Sequence, residues 1–412
     1  MSKVEKTSKE PHIAVTVKVH QGADRIGGTC IEISSSMTTI LLDIGQPLPE
    51  IGEETSEKDY SLPDLPSSID AVFISHYHKD HWGLIHLTDD TVPFYLPGKA
   101  REILLLQQKL IGRDLCDRLE QALVYKPDQT IQIGDISVKT HLMDHSAMDA
   151  CAFEITVEDQ RIVYTGDFRR HGRKGKLWYG FINKIQQPFD TLLCEGTMLS
   201  RQAEHVPRES DLEQRAVSTL KENKLALAWT SSVNYDRITT FYRAARRTGR
   251  ILAVDIFTAH MMSLAASGTG LPDPMIFDDI RVYYPPGISR MIEENGGAKM
   301  LYKFRRKKVT YAEVDQNPKK YLILTRPSCY RGWLDRITKW KDSVLFYSQW
   351  SGYRELPRNT EFLKILNLKG CRDVTLHTSG HADTRTIQET IERLNPGEII
   401  PVHTEEPGWF MN

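Results

Sequence analysis

At 412 residues the chain has length for two to three domains of roughly 150 residues each. With 40% hydrophobic and 26% charged residues it has the make-up of a folded protein, and a formal charge of −1 excludes a globally basic chain that coats polyanions. No apolar run reaches the roughly 18 residues of a membrane span, the start MSKVEKTSKEPH lacks a secretory segment, and six scattered cysteines without a C-x-x-C pair read as reduced thiols, so a soluble, cytoplasmic protein is expected.

Over the first 200 residues, short β-rich runs are predicted at HIAVTVKVH, TCIEIS, TTILLDIG, AVFISH, DISVKTHLM, CAFEITVED and QRIVYTGD, with a helix at KAREILLLQQKLI. From about residue 205 the rhythm changes to strand-then-helix units: LALAWTSS and the helix after it, ILAVDIF with TAHMMSLAASG, then YLILTRP and SVLFYSQW. Such alternation predicts a parallel α/β unit. The last 40 residues, with DVTLH, a helix at DTRTIQETIERL and EIIPVH, return to the earlier style. One α/β block, residues 205–345, is therefore expected as an insertion in a discontinuous domain of residues 1–204 and 346–412.

Several apolar runs end in an acid or a histidine: Asp43, His76, Asp167, Glu195 and His403. Ligands of open α/β sheets collect beyond the carboxyl ends of strands, so one shared edge would assemble all five. The densest cluster is Ser75-His76-Tyr77-His78-Lys79-Asp80-His81, directly after a strand. In extended chain, residues two apart face the same way, which lets His76 and His78 hold one metal while the following turn sends Asp80 and His81 to another. Imidazole and carboxylate without thiolate suit zinc, with manganese as the alternative. His12, His20, His86, His141, His171, His205, His260 and His377 read as ordinary surface or core histidines.

H-x-H-x-D-H after a strand, a later Asp144-His145-Ser146, the strand-ending Asp167 and Asp43 in LLDIG resemble the metallo-β-lactamase hydrolases. The resemblance implies that His76, His78 and His145 hold one zinc and Asp80 and His81 the other, that Asp167 bridges both, and that Asp43 orients the ligand loop. Glu195 in Leu193-Cys194-Glu195-Gly196-Thr197, His381 in Thr378-Ser379-Gly380-His381-Ala382 and His403 in Pro401-Val402-His403 are similar to the motifs of the β-CASP nucleases, ribonuclease J above all. An αββα sandwich with an inserted parallel β-CASP domain is implied, with His403 completing the second metal's ligands and His381 protonating the leaving oxygen. Histidine at position 403 resembles the RNA-acting members. Glu-Gly-Thr stands where ribonuclease J has Asp-Ser-Thr, His403-Thr404-Glu405 where it has His-Gly-Glu, and the sequence stops at Asn412, before the closing helices of that enzyme.

Two divalent cations more than balance Asp80, Asp167 and a shared hydroxide, so a phosphodiester is attracted and in-line attack by the activated water is stabilised. Asp80, Asp167, Glu195 and His381 are the expected catalytic set, Glu195 keeping His381 protonated. For RNA binding the sequence offers Ser231 and Ser232 as a helix start with free backbone N–H groups, and Arg237 on that helix. It also offers Arg243, Arg246, Arg247 and Arg250 on one face, and the turn Thr378-Ser379-Gly380. Basic runs at Arg169-Arg170-His171-Gly172-Arg173-Lys174 and Arg305-Arg306-Lys307-Lys308 add local positive charge. The resulting expectation is a zinc ribonuclease on single-stranded RNA, exo- or endonucleolytic, with room for a homo-oligomer. The same fold acting on DNA or a small phosphate or ester, and a non-catalytic RNA-processing scaffold, are the alternatives.

Overall fold

The computed structural model describes residues 15–48, 60–112, 116–201 and 206–411. His12, His205 and the expected boundary at 204–205 lie outside the described residues, as does the side chain of Cys116. The first sheet runs in chain order through β1 (Thr16–Gln21), β2 (Cys30–Ser34), β3 (Thr39–Leu42), β4 (Ala71–Phe73), β5 (Phe94–Pro97) and β6 (Leu123–Tyr125). Its first three strands are antiparallel, and from β3 onward the pairing is parallel. A second sheet stacks β7 (Thr130–Ile133), β8 (Ile136–Leu142), β9 (Cys151–Val157), β10 (Gln160–Tyr164) and β11 (Thr191–Glu195).

Between these sheets lies a dry core in which Ile31, Ile33, Leu42 and Phe73 meet Val138, Phe153, Ile155 and Tyr164. Alternating inward and outward residues, as in the buried and half-buried sequence of β8, explain why these strands sit face to face. The outer faces carry helices. Gly98–Ile111 packs on the first sheet through Ile103, Leu104 and Leu110, while Lys176–Lys184 and Thr384–Leu394 cover the second through Trp178, Phe181, Ile387 and Leu394. The molecule is thus a four-layered sandwich of mixed α/β class, as expected.

The third sheet is wholly parallel: β12 (Ala226–Trp229), β13 (Ile251–Asp255), β14 (Ile280–Tyr283), β15 (Tyr321–Thr325), β16 (Val344–Tyr347) and β17 (Arg372–Thr375), in the order β14-β13-β15-β12-β16-β17. Its apolar strands are buried on both faces, as parallel strands between helices must be. The inserted sheet therefore runs past the expected limit at residue 345. β16 pairs with β12, β17 pairs with β16, and the helix Pro357–Leu368 joins them. The DVTLH run thus closes the insertion instead of resuming the sandwich. A second difference lies at ILAVDIF, where the strand stops at Asp255 because that carboxylate accepts the backbone N–H groups of Phe257 and Thr258 and starts a helix at Ile256. The chain returns to the sandwich through β18 (Glu398–Val402), which pairs parallel with β11. Among the described residues no helix is long and apolar enough to cross a membrane.

Candidate metal centre

Parallel register brings the strand ends together. Leu42 lies beside Phe73, so Asp43 and the stretch Ile74-Ser75-His76 leave the first sheet at one edge. Tyr164 lies beside Leu193 and Glu195 beside Val402, so Asp167, Glu195 and His403 leave the second sheet at the edge that faces it. Asp43 and His403 turn outward with φ of 58° and 51°, a left-handed backbone that side chains other than glycine adopt rarely and that concentrates at functional positions.

His78 is extended (φ −71°, ψ 142°), and the short helix Lys79–Trp82 begins immediately after it. That change of direction separates two groups of side chains. His76 Nε2 and His145 Nε2 each lie 3.1 Å from His78 Nδ1, three imidazole nitrogens aimed at one point. Asp80, His81 and His403 form a second group, with His403 Nε2 3.2 Å from Asp80 Oδ2. Asp167 sits between them, its Oδ2 3.1 Å from His81 Nε2 and 3.8 Å from His76 Nε2.

The fit to metal is tested by the nitrogens themselves. His145 Nδ1 donates to the Gly380 carbonyl at 2.6 Å, which leaves its Nε2 with a lone pair, and His81 Nδ1 donates to Asp43 at 2.7 Å, which turns its Nε2 toward Asp167. Burial holds the pKa of His76 and His145 well below the ordinary imidazole value and that of His78 down to about 4, so all three favour the neutral form that could bind a cation. Burial also disfavours charge on His81, yet Asp167 and Asp43 outweigh it and raise its pKa. His81 Nε2 and both carboxylate oxygens of Asp167 are buried without a hydrogen-bond partner. Lone pairs facing lone pairs around two unpartnered acid oxygens are unfavourable by about 1–3 kcal/mol per group unless cations meet them. The residues present fit two divalent cations.

Asp43 holds this arrangement by accepting four bonds, from Ser75 N–H at 2.6 Å, Ser75 Oγ at 2.8 Å, His81 Nδ1 at 2.7 Å and the Tyr164 hydroxyl at 2.7 Å. On the other side His381 Nδ1 is 3.2 Å from Glu195 Oε2 and 3.6 Å from Asp167 Oδ2. Burial lowers the affinity of His381 for a proton, but Glu195 and Asp167 more than reverse this, and its pKa lies above the ordinary value. Ring and carboxylate form a close pair beside Asp167.

The arginines that the sequence offers as RNA contacts are placed elsewhere. Arg237 is wholly buried and is no phosphate ligand: its guanidinium holds Glu209 Oε1 at 3.1 Å and the carbonyls of Leu376 and Thr378 at 3.2 and 3.3 Å. The helix begins at Tyr235, not at Ser231-Ser232, because Asn234 caps it by accepting the Arg237 N–H. The Ser232 hydroxyl is tied to Thr258 and Arg326. Arg243, Arg246 and Arg247 lie beside Glu213 and Asp279, while Arg250 falls past the helix end and is buried against backbone carbonyls of Leu220, Asn223, Lys224 and Tyr321. The basic run after Asp167 is neutralised: Arg169 pairs with Asp144 and Asp236, Arg170 with Glu389 and Arg173 with Glu213. Of the second run, Lys307 pairs with Asp278. Thr378, Ser379 and Gly380 stand beside the centre, with Ser379 Oγ accepting the His381 N–H and the Thr378 hydroxyl donating to Pro207 O.

Residues that sequence reasoning missed include Thr197, whose hydroxyl is 2.7 Å from His403 Nδ1, and Gly45, where a Cβ would stand 1.7 Å from the Asp80 carbonyl oxygen. Thr197 was legible in principle as the third residue of the Glu-Gly-Thr motif. A cleft of roughly 2390 Å³ opens from the centre between sandwich and inserted sheet, lined by His78, Asp80, His381 and His403 on one side and by Ser231, Ser232 and Arg326 on the other. It exceeds the ~300–1,000 Å³ of small-molecule sites.

Residues 38–228 match the family model described as the beta-lactamase superfamily domain, and residues 371–408 match the Zn-dependent metallo-hydrolase RNA specificity domain. Ribonuclease J of Helicobacter pylori is 25% identical over 152 residues, which span 36% of this chain and only 22% of that one. Integrator complex subunit 11 of Gallus gallus is 24% identical across 96% of this chain and 69% of its own length. Transcription termination factor FttA of Methanothermobacter thermautotrophicus is 23% identical across 91% and 64%. A crystal structure of a protein of unknown function from Enterococcus faecalis V583 shares the fold with a TM-score of 0.77 at 22% identity, over 96% of this chain and 95% of that one.

Proposed function

Because this chain belongs to the metallo-β-lactamase β-CASP nuclease family, we propose that it is a zinc-dependent ribonuclease that hydrolyses phosphodiester bonds of single-stranded RNA. The observation that carries this reading is the convergence of seven side chains from four strand ends on two adjacent positions, with His381 and Glu195 beside them. His76, His78 and His145 would hold one cation, Asp80, His81 and His403 the other, and Asp167 would lie between. A bound pair of such cations supplies a nucleophilic water at neutral pH and neutralises charge on the phosphoryl oxygens.

The chain's own residues supply the rest. Glu195 occupies Nδ1 of His381 and keeps the ring charged, so the remaining Nε2–H is available to the leaving oxygen. Ser379 fixes that ring's backbone by accepting its N–H at 3.0 Å. Gly380 lets its strand of chain approach His145: a Cβ there would be 2.7 Å from Ser146 Oγ and 3.1 Å from the His145 ring. The cleft is larger than a small-molecule site, which suits a polymeric substrate, and the match of residues 371–408 to an RNA specificity domain supports RNA over DNA.

End-labelled single-stranded RNA, incubated with the zinc-loaded protein, tests the reading. Cleavage should be abolished in His78→Ala and reduced about 10²–10⁴-fold in His381→Ala with zinc content retained. Stepwise mononucleotides would assign an exonuclease and internal fragments an endonuclease. A wild-type protein with two zinc ions that leaves RNA intact, or a fully active His78→Ala, would sink the proposal.

A further inference from the structure

The wall of the cleft nearest Asp80 and His403 carries an arginine, a tryptophan and a tyrosine that the hydrolytic machinery does not use. Arg201 follows the Glu195 loop, Trp350 precedes the turn Ser351–Glu355 after β16 and Tyr353 lies within it; all three line the cleft. The Arg201 guanidinium lies over the Trp350 ring, 5.2 Å from its centroid, and among the described residues it makes no hydrogen bond. A half-buried guanidinium with unfilled donors beside the cleft is poised for an anion.

The aromatic pair is braced. A Cβ on Gly352 would lie 2.3 Å from the Trp350 ring, so the indole rests flat on its own turn. The Tyr347 hydroxyl donates to the Trp350 carbonyl at 3.1 Å, Tyr353 N–H bonds the same carbonyl, and Asn359 Nδ2 holds the Tyr353 carbonyl at 2.7 Å. Trp350 meets Tyr353 edge to face, with centroids 5.4 Å apart, and Tyr353 remains 41% exposed. Burial and then the charge of Asp80 raise the Tyr353 phenol, which places it within electrostatic reach of the metal ligands. Rigid exposed rings beside a cation are the elements by which proteins hold unpaired nucleic acid.

We propose that Arg201, Trp350 and Tyr353 form a nucleotide subsite next to the metal centre, in which Arg201 binds a strand phosphate adjoining the scissile one and Tyr353, braced by Trp350, stacks on a base. This rests on the ribonuclease reading above. The zinc-loaded protein should be assayed for kcat/KM on a 5′-phosphorylated ten-nucleotide single-stranded RNA and on bis(p-nitrophenyl) phosphate, which has neither base nor second phosphate. Arg201→Gln and Tyr353→Ala should each lower the ratio of the two about tenfold. A single abasic ribose, moved along the RNA, should slow the wild type about tenfold at one position. Tyr353→Ala should be blind to it there, and Tyr353→Phe should regain the sensitivity. If the wild type cleaves RNA while both variants keep its ratio within twofold, or if Tyr353→Ala responds to the abasic series as the wild type does, the subsite is refuted and the ribonuclease reading stands. A wild type that hydrolyses bis(p-nitrophenyl) phosphate but no RNA refutes both.

Discussion

His381 and Glu195 show how one pair of side chains fixes a protonation state. Burial alone would release the proton of the imidazolium, and Glu195 with Asp167 holds it on. A base whose folded pKa is raised keeps its proton below that value and gives it up as pH rises through it. An acid role for His381 therefore predicts an alkaline limb in the pH–rate profile above the ordinary histidine range. Glu195→Gln removes the carboxylate bonded to the ring and should move that limb to lower pH while zinc content stays at the wild-type level; an unmoved limb would exclude His381 as the titrating acid. Arginines teach the opposite lesson at this scale. Arg169 and Arg237 look like phosphate ligands in sequence, but each is wholly buried against acids that lie far along the chain. Charge partners such as Glu209 and Asp236 have no local signature, so their pairing was not legible.

The element that places His76, His78, Asp80 and His81 is the turn from β4 into Lys79–Trp82, clamped by the loop after β3 and by the residue before β2. Ile44 N–H bonds the His81 carbonyl at 2.8 Å, Gln46 N–H the Lys79 carbonyl at 3.0 Å, and Thr29 N–H the Asp80 carbonyl at 3.1 Å. No side chain fits at position 45 without displacing that carbonyl. Gly45→Ala should therefore lower stability by about 1–3 kcal/mol and reduce bound zinc, read by thermal melting and metal analysis; an unchanged melting temperature with two zinc ions would refute the clamp. The strand ends and the H-x-H-x-D-H turn were legible because period-two alternation and clustered imidazoles are local signals. The limit of the inserted sheet was not. SVLFYSQW and DVTLH read like any buried strand, and only pairing to β12 assigns them to the third sheet.

Across the whole molecule, sandwich and insertion are joined by a buried ionic network. Arg169 reaches Asp144, Asp236 and the Ser379 carbonyl, and Arg237 reaches Glu209, Thr378 and, through a short bond, Ser348. Burial raises the Glu209 carboxyl, but Arg237 and Arg169 overcome this and bring its pKa down to about 2. A depressed carboxylate contributes stability above its unfolded value of about 4.5 and loses it as pH falls toward the folded one. Glu209→Gln should cost about 3–5 kcal/mol at pH 7, where it strands a buried guanidinium. The gap from wild type should shrink in urea titrations between pH 4.5 and pH 2.5; a gap independent of pH would exclude this role. The hydrogen bond from His145 to the Gly380 carbonyl spans 235 positions of chain, and His403 meets Asp80 across 323. During synthesis Gly380 and His403 emerge more than 200 residues after the side chains they meet. A chain still being translated, surrounded by messenger and ribosomal RNA, thus carries its first histidines without the means to use them until residues 380 to 403 have emerged and folded back.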